Sequence, residues 1–408
     1  MGAIPPGYRA GEDGALAIAG RSVHALVEEA RGTPLFVYDL GLIAERVARF
    51  RAAFSGVQLH YAVKANTYQP LLKYVAKRVD GLDVASAGEM QAALAVFAPD
   101  GLSFAGPGKT DAELEAAVRA GVTLNLESEG EAERALEAAE RLGVRPRLAV
   151  RVNPDFEIRG SGMRMGGGAK PFGVDAERVP ALVRRLRHAG ADWRGFHIFA
   201  GSQALSAEAL IEAQWATLAL AASLAEAADA TPPLVNLGGG FGIPYFHGEQ
   251  PVDVEATGKA LQQSLAQRPA VLQGSAFAIE LGRWLVGEAG VYLTRIVDRK
   301  VSHGSTFLVT DGGMHHQLAA SGNFGQVVRR NYPVAIASRF AAPPEEQASI
   351  VGCLCTPLDR LADDLMLPHA EVGDLVAVFL AGAYGLSASP QAFLGHPPAF
   401  EIAVGGEG

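Results

Sequence analysis

The chain has 408 residues, enough for two domains of ordinary size and too many for a small stapled module. Apolar residues make up 49% and charged residues 19%, a balance that can build a large core, and a net charge of −9 argues against gripping nucleic acid or an anionic membrane by bulk electrostatics. The two cysteines, Cys353 and Cys355, form no disulfide framework, and two thiols alone do not close a zinc site, so a reducing compartment is expected.

The opening MGAIPPGYRAGEDG has no apolar core behind a basic start and carries Pro6 where a myristoylation signal wants Ser or Thr. No apolar run reaches the roughly 18 residues of a membrane span. A cytoplasmic protein with no membrane partner is the expectation. From about residue 55 to 285, short β-type runs alternate with helical patterns. The runs are Leu59–Val63, Leu82–Ala85, Leu102–Ala105, Val122–Leu126, Leu148–Val152, Gly195–Phe199, Leu234–Leu237 and Phe277–Glu280. Between them, Thr110–Ala120, Glu129–Leu142, Pro180–Ala189 and Ala207–Ala228 place apolar residues at helical spacing. Repeated βα units imply parallel strands, and eight of them predict an α/β protein with a closed (β/α)8 TIM-type barrel over 33–290, an open doubly wound sheet being the alternative. After residue 290, Val291–Val301, Thr306–Gly313 and LVAVFLAGAYG read as strands. They predict an all-β domain over 291–408, completed by residues 1–32.

In such a barrel, chemistry gathers at the C-terminal ends of the strands. Lys64 follows the first run in HYAVKAN, Asp83 lies in the second, Arg151 ends the fifth in RVNP, and His197 lies in the sixth in GFHIFAGSQ. The glycines of NLGGGFGIPY follow the seventh, and Glu280 ends the eighth in ELGR. Each has a plain structural explanation: a lysine after a strand is commonly a solvated charge, a glycine run a flexible turn, a strand-end glutamate an ordinary carboxylate. Flanked by Ala62, Val63 and Ala65, however, Lys64 is expected to be partly desolvated, which prepares an amine for imine formation. Glycines after strand seven let backbone N–H groups approach a phosphate. A carboxylate such as Glu280 can keep a pyridine nitrogen protonated, as a pyridoxal phosphate electron sink requires.

The motifs HYAVKAN, GxHxxxGSQ, GGGFG, ExGR and GAYG, in this order, resemble the pyridoxal-phosphate-dependent decarboxylases of the alanine-racemase-like fold. This group holds the ornithine, diaminopimelate and arginine enzymes. The resemblance runs from PLFVYD near residue 34 to FLGHP. It implies that Lys64 is the Schiff-base lysine, that His197 stacks on the cofactor ring, and that Glu280 pairs with the ring nitrogen. Asp83 and Arg151 would line the mouth, while Ser202, Gly239, Gly240, Gly282, Arg283 and Tyr384 surround the phosphate. Arg283 and Tyr384 would be shared with substrate. Cys355, Thr356 and Asp359 in GCLCTPLD match the loop that the family inserts into the neighbouring subunit, with Cys355 as proton donor; a homodimer with shared sites follows. A buried small hydrophobe is the plain alternative for Cys355.

The sequence departs from the diaminopimelate enzymes where substrate specificity is set. Their Cys-Glu-Ser becomes Cys355-Thr356-Pro357, their Arg-Pro-x-x-Tyr element is replaced around DGGMHHQLAASGNFGQVVRRNYPV, and Leu281 replaces the proline of Glu-Pro-Gly-Arg. A site that loses its buried partner for an ammonium should not keep a substrate carrying one. DGGMHH, CTPLD and GAYGLSASPxxFLGHP are more similar to a subgroup from specialised-metabolite and exopolysaccharide gene sets. It includes a butirosin-pathway decarboxylase acting on a glutamyl group tethered to an acyl-carrier protein. The implied substrate is an acidic aminoacyl group on a carrier, with Arg329 and Arg330 either near its phosphate arm or merely solvated. The alternatives are free diaminopimelate or another free amino acid. Other classes are an amino-acid racemase, which should lack the Cys355–Asp359 loop, a non-catalytic cofactor carrier, and a metal hydrolase, for which ten scattered histidines supply no convergent cluster.

Overall fold

A computed structural model describes residues 2–406 apart from 159, 161, 165, 325 and 327, with backbone alone at 163 and 164. The chain divides into two compact units, one formed by residues 47–243 and 251–282, the other by residues 1–46, 244–250 and 283–408.

The first unit holds eight parallel strands: β1 (Gln58–Ala62), β2 (Gly81–Val84), β3 (Leu102–Phe104), β4 (Thr123–Leu126), β5 (Arg147–Asn153), β6 (Asp192–Ile198), β7 (Leu234–Gly239) and β8 (Ala276–Leu281). Neighbours pair in sequence order, and β8 returns to β1 with Glu280 opposite His60, so the sheet closes into a barrel. Because helices cover its outer face and side chains fill its lumen, the strands are near-continuously buried, which is why they read as apolar runs and not as alternating ones. Local signals set the crossovers. The helix Asp111–Ala120 starts at Thr110 with a reciprocal cap to Glu113 and stops at Gly121, whose φ of 75° turns the chain back toward β4.

The second unit is built on one long strand, Gly290–Ser302. Its first half pairs antiparallel with Leu35–Asp39 and Leu375–Val378, its second half with Ser305–Thr310. Ser305–Thr310 then runs parallel to Glu346–Val351, which pairs with Arg360–Leu367. The barrel boundary expected at residue 33 falls later, because Leu35–Asp39 is bonded on one side to Gly290–Leu293 and on the other to Phe400–Val404. The strand expected through Gly313 stops at Thr310. There Asp311 accepts from Arg295 N (2.9 Å) and Thr294 Oγ1 (2.6 Å), and Gly312 N donates to Thr294, which folds DGG out of the ladder. Among the described residues no helix is long and apolar enough to cross a membrane.

Candidate active site

The C-terminal ends of the barrel strands carry a charge cluster. His197 on β6 stands level with Arg151 on β5, and Gly239 on β7 stands level with Glu280 on β8. The His197 Nε2 and Glu280 Oε2 atoms are 2.9 Å apart, with both side chains buried. Burial opposes the Glu280 charge, but the His197 hydrogen bond, its charge, Lys64 and Arg151 outweigh it and hold the carboxyl well below its ordinary range. On the other side of His197, Nδ1 is buried with no hydrogen-bond partner among the described residues. Lys64 follows β1, and its Nζ lies 5.6 Å from the centre of the Phe199 ring. Lys64 is exposed in the single chain, so its apolar neighbours do not desolvate it as expected. Ala62, Val63 and Ala65 are buried and turn inward, leaving the lysine to project from the short turn Val63–Ala65. Gly282 closes the same corner, since a Cβ there would stand 2.9 Å from the Ala65 methyl.

The glycines after β7 are required by close approach. A Cβ on Gly239 would sit 1.9 Å from the Glu280 carbonyl oxygen, and Gly240, at φ 79°, would place one 2.5 Å from that of Gly201. Ser202, beside Gly201, is half-buried on a two-residue strand. Arg151 is tied down: Nη1 donates to Glu127 Oε1 at 2.7 Å, and its guanidinium lies 5.0 Å from the Phe172 ring centre. Glu127 also accepts from Gly106 N (2.6 Å) and Gly173 N (2.8 Å), so one carboxylate joins the loops after β3, β4 and β5. Asp83 sits deeper. It is buried in the lumen, accepts from Ser103 Oγ and faces His60 at 3.4 Å, in a polar layer below the mouth.

The remaining candidates belong to the β unit. Arg283 Nη1 donates to Tyr245 Oη at 2.8 Å, and its guanidinium lies 4.7 Å from the ring centre of Tyr384, a residue in left-handed backbone (φ 54°). Burial works against the Arg283 charge, and the Tyr245 and Tyr384 hydroxyls more than restore it. Cys355 is exposed and Thr356 half-buried. Asp359 is turned inward: Oδ1 accepts from Met314 N at 2.6 Å and Oδ2 from Leu354 N at 2.8 Å. Its carboxylate fills the space that a Cβ on Gly313 or Gly352 would need. Both Asp359 oxygens are thus engaged with backbone N–H groups of their own chain.

Sequence reading missed Glu127, His60, Ser103 and Tyr245. Glu127 follows β4 as Glu280 ends β8, so the strand-end rule could have found it. The serine and acids behind it (Ser128, Glu129, Glu131) instead read as a helix start, which they also are. A cavity of about 360 Å³ lies at the opposite end of the barrel, lined by strand starts such as Gln58, Leu102, Thr123 and Leu234. It contains none of the candidates, which gather in the charge cluster at the other end.

A closed barrel with a lysine after β1, a buried carboxylate at the end of β8 and a glycine turn after β7 defines an enzyme site for an amine-reactive phosphate cofactor. The family model described as pyridoxal-dependent decarboxylase, pyridoxal binding domain, matches residues 40–287. The chain is 36% identical over 378 residues to the L-glutamyl-[BtrI acyl-carrier protein] decarboxylase of Niallia circulans, covering 91% of this chain and 88% of that one. It is 33% identical to the diaminopimelate decarboxylase of Archaeoglobus fulgidus, covering 97% and 93%. Among solved structures, diaminopimelate decarboxylase from M. jannaschii with L-lysine matches with a TM-score of 0.88 at 25% identity, covering 98% of this chain and 93% of that one. The chain belongs to the family of pyridoxal-phosphate-dependent decarboxylases. The residues present fit that cofactor: an ionised buried carboxylate, an orphaned imidazole nitrogen, a reachable lysine amine and a turn that only glycine can make.

Proposed function

We propose that this enzyme decarboxylates an acidic L-aminoacyl group tethered to an acyl-carrier protein, working in the cytoplasm as a homodimer with no nucleic-acid partner. One observation carries the substrate assignment. The only carboxylate in the loop 353–359 is Asp359, and both its oxygens are taken by backbone N–H groups, so the loop offers nothing to a distal ammonium. Thr356, which replaces the glutamate of the diaminopimelate enzymes, accepts from Leu358 N. The likeness to a decarboxylase whose substrate is a carrier-bound glutamyl group supports the same reading. So does the division between the two arginines. Arg329 is committed to Asp363 and to the carbonyls of Ser321 and Arg360. Arg330 is exposed, makes only a long contact to Glu249 (3.5 Å), stacks 3.6 Å from the Phe246 ring centre and borders a cavity of about 260 Å³ with His247, where an anionic arm would be met.

Position and the family likeness support the following roles. Lys64 Nζ would carry the cofactor, and Glu280, which fixes the His197 ring, would hold a proton on the cofactor's ring nitrogen. Gly239, Gly240, Ser202, Gly282, Arg283 and Tyr384 would receive the phosphate, and Arg151 would support the mouth above the layer that holds Asp83. Bound pyridoxal phosphate supplies the electron sink for the pair left when the α-carboxylate departs. Cys355 Sγ, delivered to the partner's barrel on a loop braced by Asp359, returns the proton to the α-carbon. The test is CO₂ release by purified enzyme from a glutamyl-carrier conjugate compared with free glutamate and free diaminopimelate. Turnover confined to the conjugate is expected; robust turnover of free diaminopimelate would overturn the assignment.

A further inference from the structure

The β unit holds a second cluster that the proposed reaction leaves unused. One ligand atom each from His315, Cys353 and His396 lie within 4.8 Å of one another. Cys353 Sγ is 3.8 Å from His396 Nδ1, and the His315 and His396 ring centres are 5.2 Å apart. His315 is fully buried (0% exposed), yet neither of its ring nitrogens has a hydrogen-bond partner among the described residues. A buried imidazole with both nitrogens unused is costly unless something else takes a lone pair. The adjacent His316 shows the ordinary solution, reaching Tyr292 Oη at 3.2 Å and the Pro397 carbonyl at 3.0 Å. Two imidazoles and one thiol are the donor set that zinc prefers. Zinc bonds of about 2.0–2.3 Å would draw such atoms only slightly closer than they stand.

We propose that His315, Cys353 and His396 bind a divalent zinc-class ion, with the fourth coordination position left to water or an external ligand. Counting thiols alone gave no zinc site because the other two ligands come from distant segments. The ion would join three of them: DGGMHH, the loop 352–359 and the FLGHP turn. Cys355 stands two residues from Cys353, and Asp359, which bonds the first two segments to each other, lies close enough for its charge to act on both Cys353 and His396. The ion's work would be to brace the loop that presents Cys355, with the Asp359 carboxylate bonded to the backbone beside two of the ion's ligands, at Met314 and Leu354.

Holoenzyme stripped with a chelator and titrated with Co²⁺ tests this. Uptake of one ion per chain is expected, with tetrahedral absorption bands beyond the cofactor band that zinc abolishes by displacement. Cys353→Ser and His396→Gln should each remove the bands while the cofactor absorption and far-ultraviolet dichroism stay unchanged, and Cys355→Ser should leave the bands intact. Absence of stoichiometric uptake, or uptake that survives both ligand variants, would overturn the proposal. So would uptake lost in Cys355→Ser but kept in Cys353→Ser. None of these readouts depends on the substrate assignment.

Discussion

The two ends of the barrel are built from similar materials and differ in what they leave available. At the N-terminal end, His60, Ser103, Asn125 and Asn236 surround the larger cavity, and several of them satisfy one another: Asn125 donates to Ser103 at 3.0 Å and Ser103 to Asp83. At the C-terminal end, Glu280 is held ionised beside a half-satisfied His197, and Lys64 is exposed. A polar network bonded mostly to itself rigidifies a lumen, although Asp83 Oδ2 has no hydrogen-bond partner among the described residues. An open one, with an amine within reach, has capacity left for a ligand. The contrast assigns the chemistry to the end that carries an ionised carboxylate and an exposed amine.

The largest way to break this contrast is Lys64→Ala, which should lower decarboxylation by about 1000-fold or more and remove the lysine-bound cofactor band in the absorption spectrum. Glu280→Gln should cost about 100- to 1000-fold in kcat, read in a steady-state CO₂ assay, because a neutral amide cannot hold the ring proton. It also has a pH signature. The folded pKa of Glu280 lies below its ordinary 4.5, so the stability it contributes is present above 4.5 and is lost as pH falls through the folded value. Acid unfolding of Glu280→Gln should therefore lack that part of the decline. Glu127→Gln, which strips the charge from the Arg151 hub, should cost about 2 kcal/mol in denaturant unfolding. At the other end, Arg194→Ala borders the larger cavity and should change kcat less than about twofold and stability by less than about 0.5 kcal/mol.

Much of the barrel was legible because parallel strands covered on both faces leave apolar runs, and each of the eight runs overlaps a strand. The misjudged ends have local causes. β6 begins at Asp192, three residues before the run suggests, because an irregularity between Trp193 and Gly195 breaks the pattern. β7 runs on into the glycines because Gly239 pairs with Glu280. Position along a strand singled out Lys64, His197 and Glu280, but could not show which way a side chain faces. The exposure of Lys64, the inward turn of Asp359 and the commitment of Arg151 to Glu127 all depend on loops meeting in three dimensions. The likeness of GCLCTPLD to a loop inserted into the neighbouring subunit led past the simpler fact that two glycines, Gly313 and Gly352, make room for the Asp359 carboxylate.

Reductive trapping tests the placement of the chemistry most directly. Borohydride treatment of the holoenzyme fixes the cofactor to whichever lysine carries it, and peptide mapping then locates the modification. The label is expected on Lys64, in the HYAVKAN peptide at the C-terminal end of the barrel. Label on any other lysine, including the buried Lys109, which is already bonded to Glu131, would contradict the account.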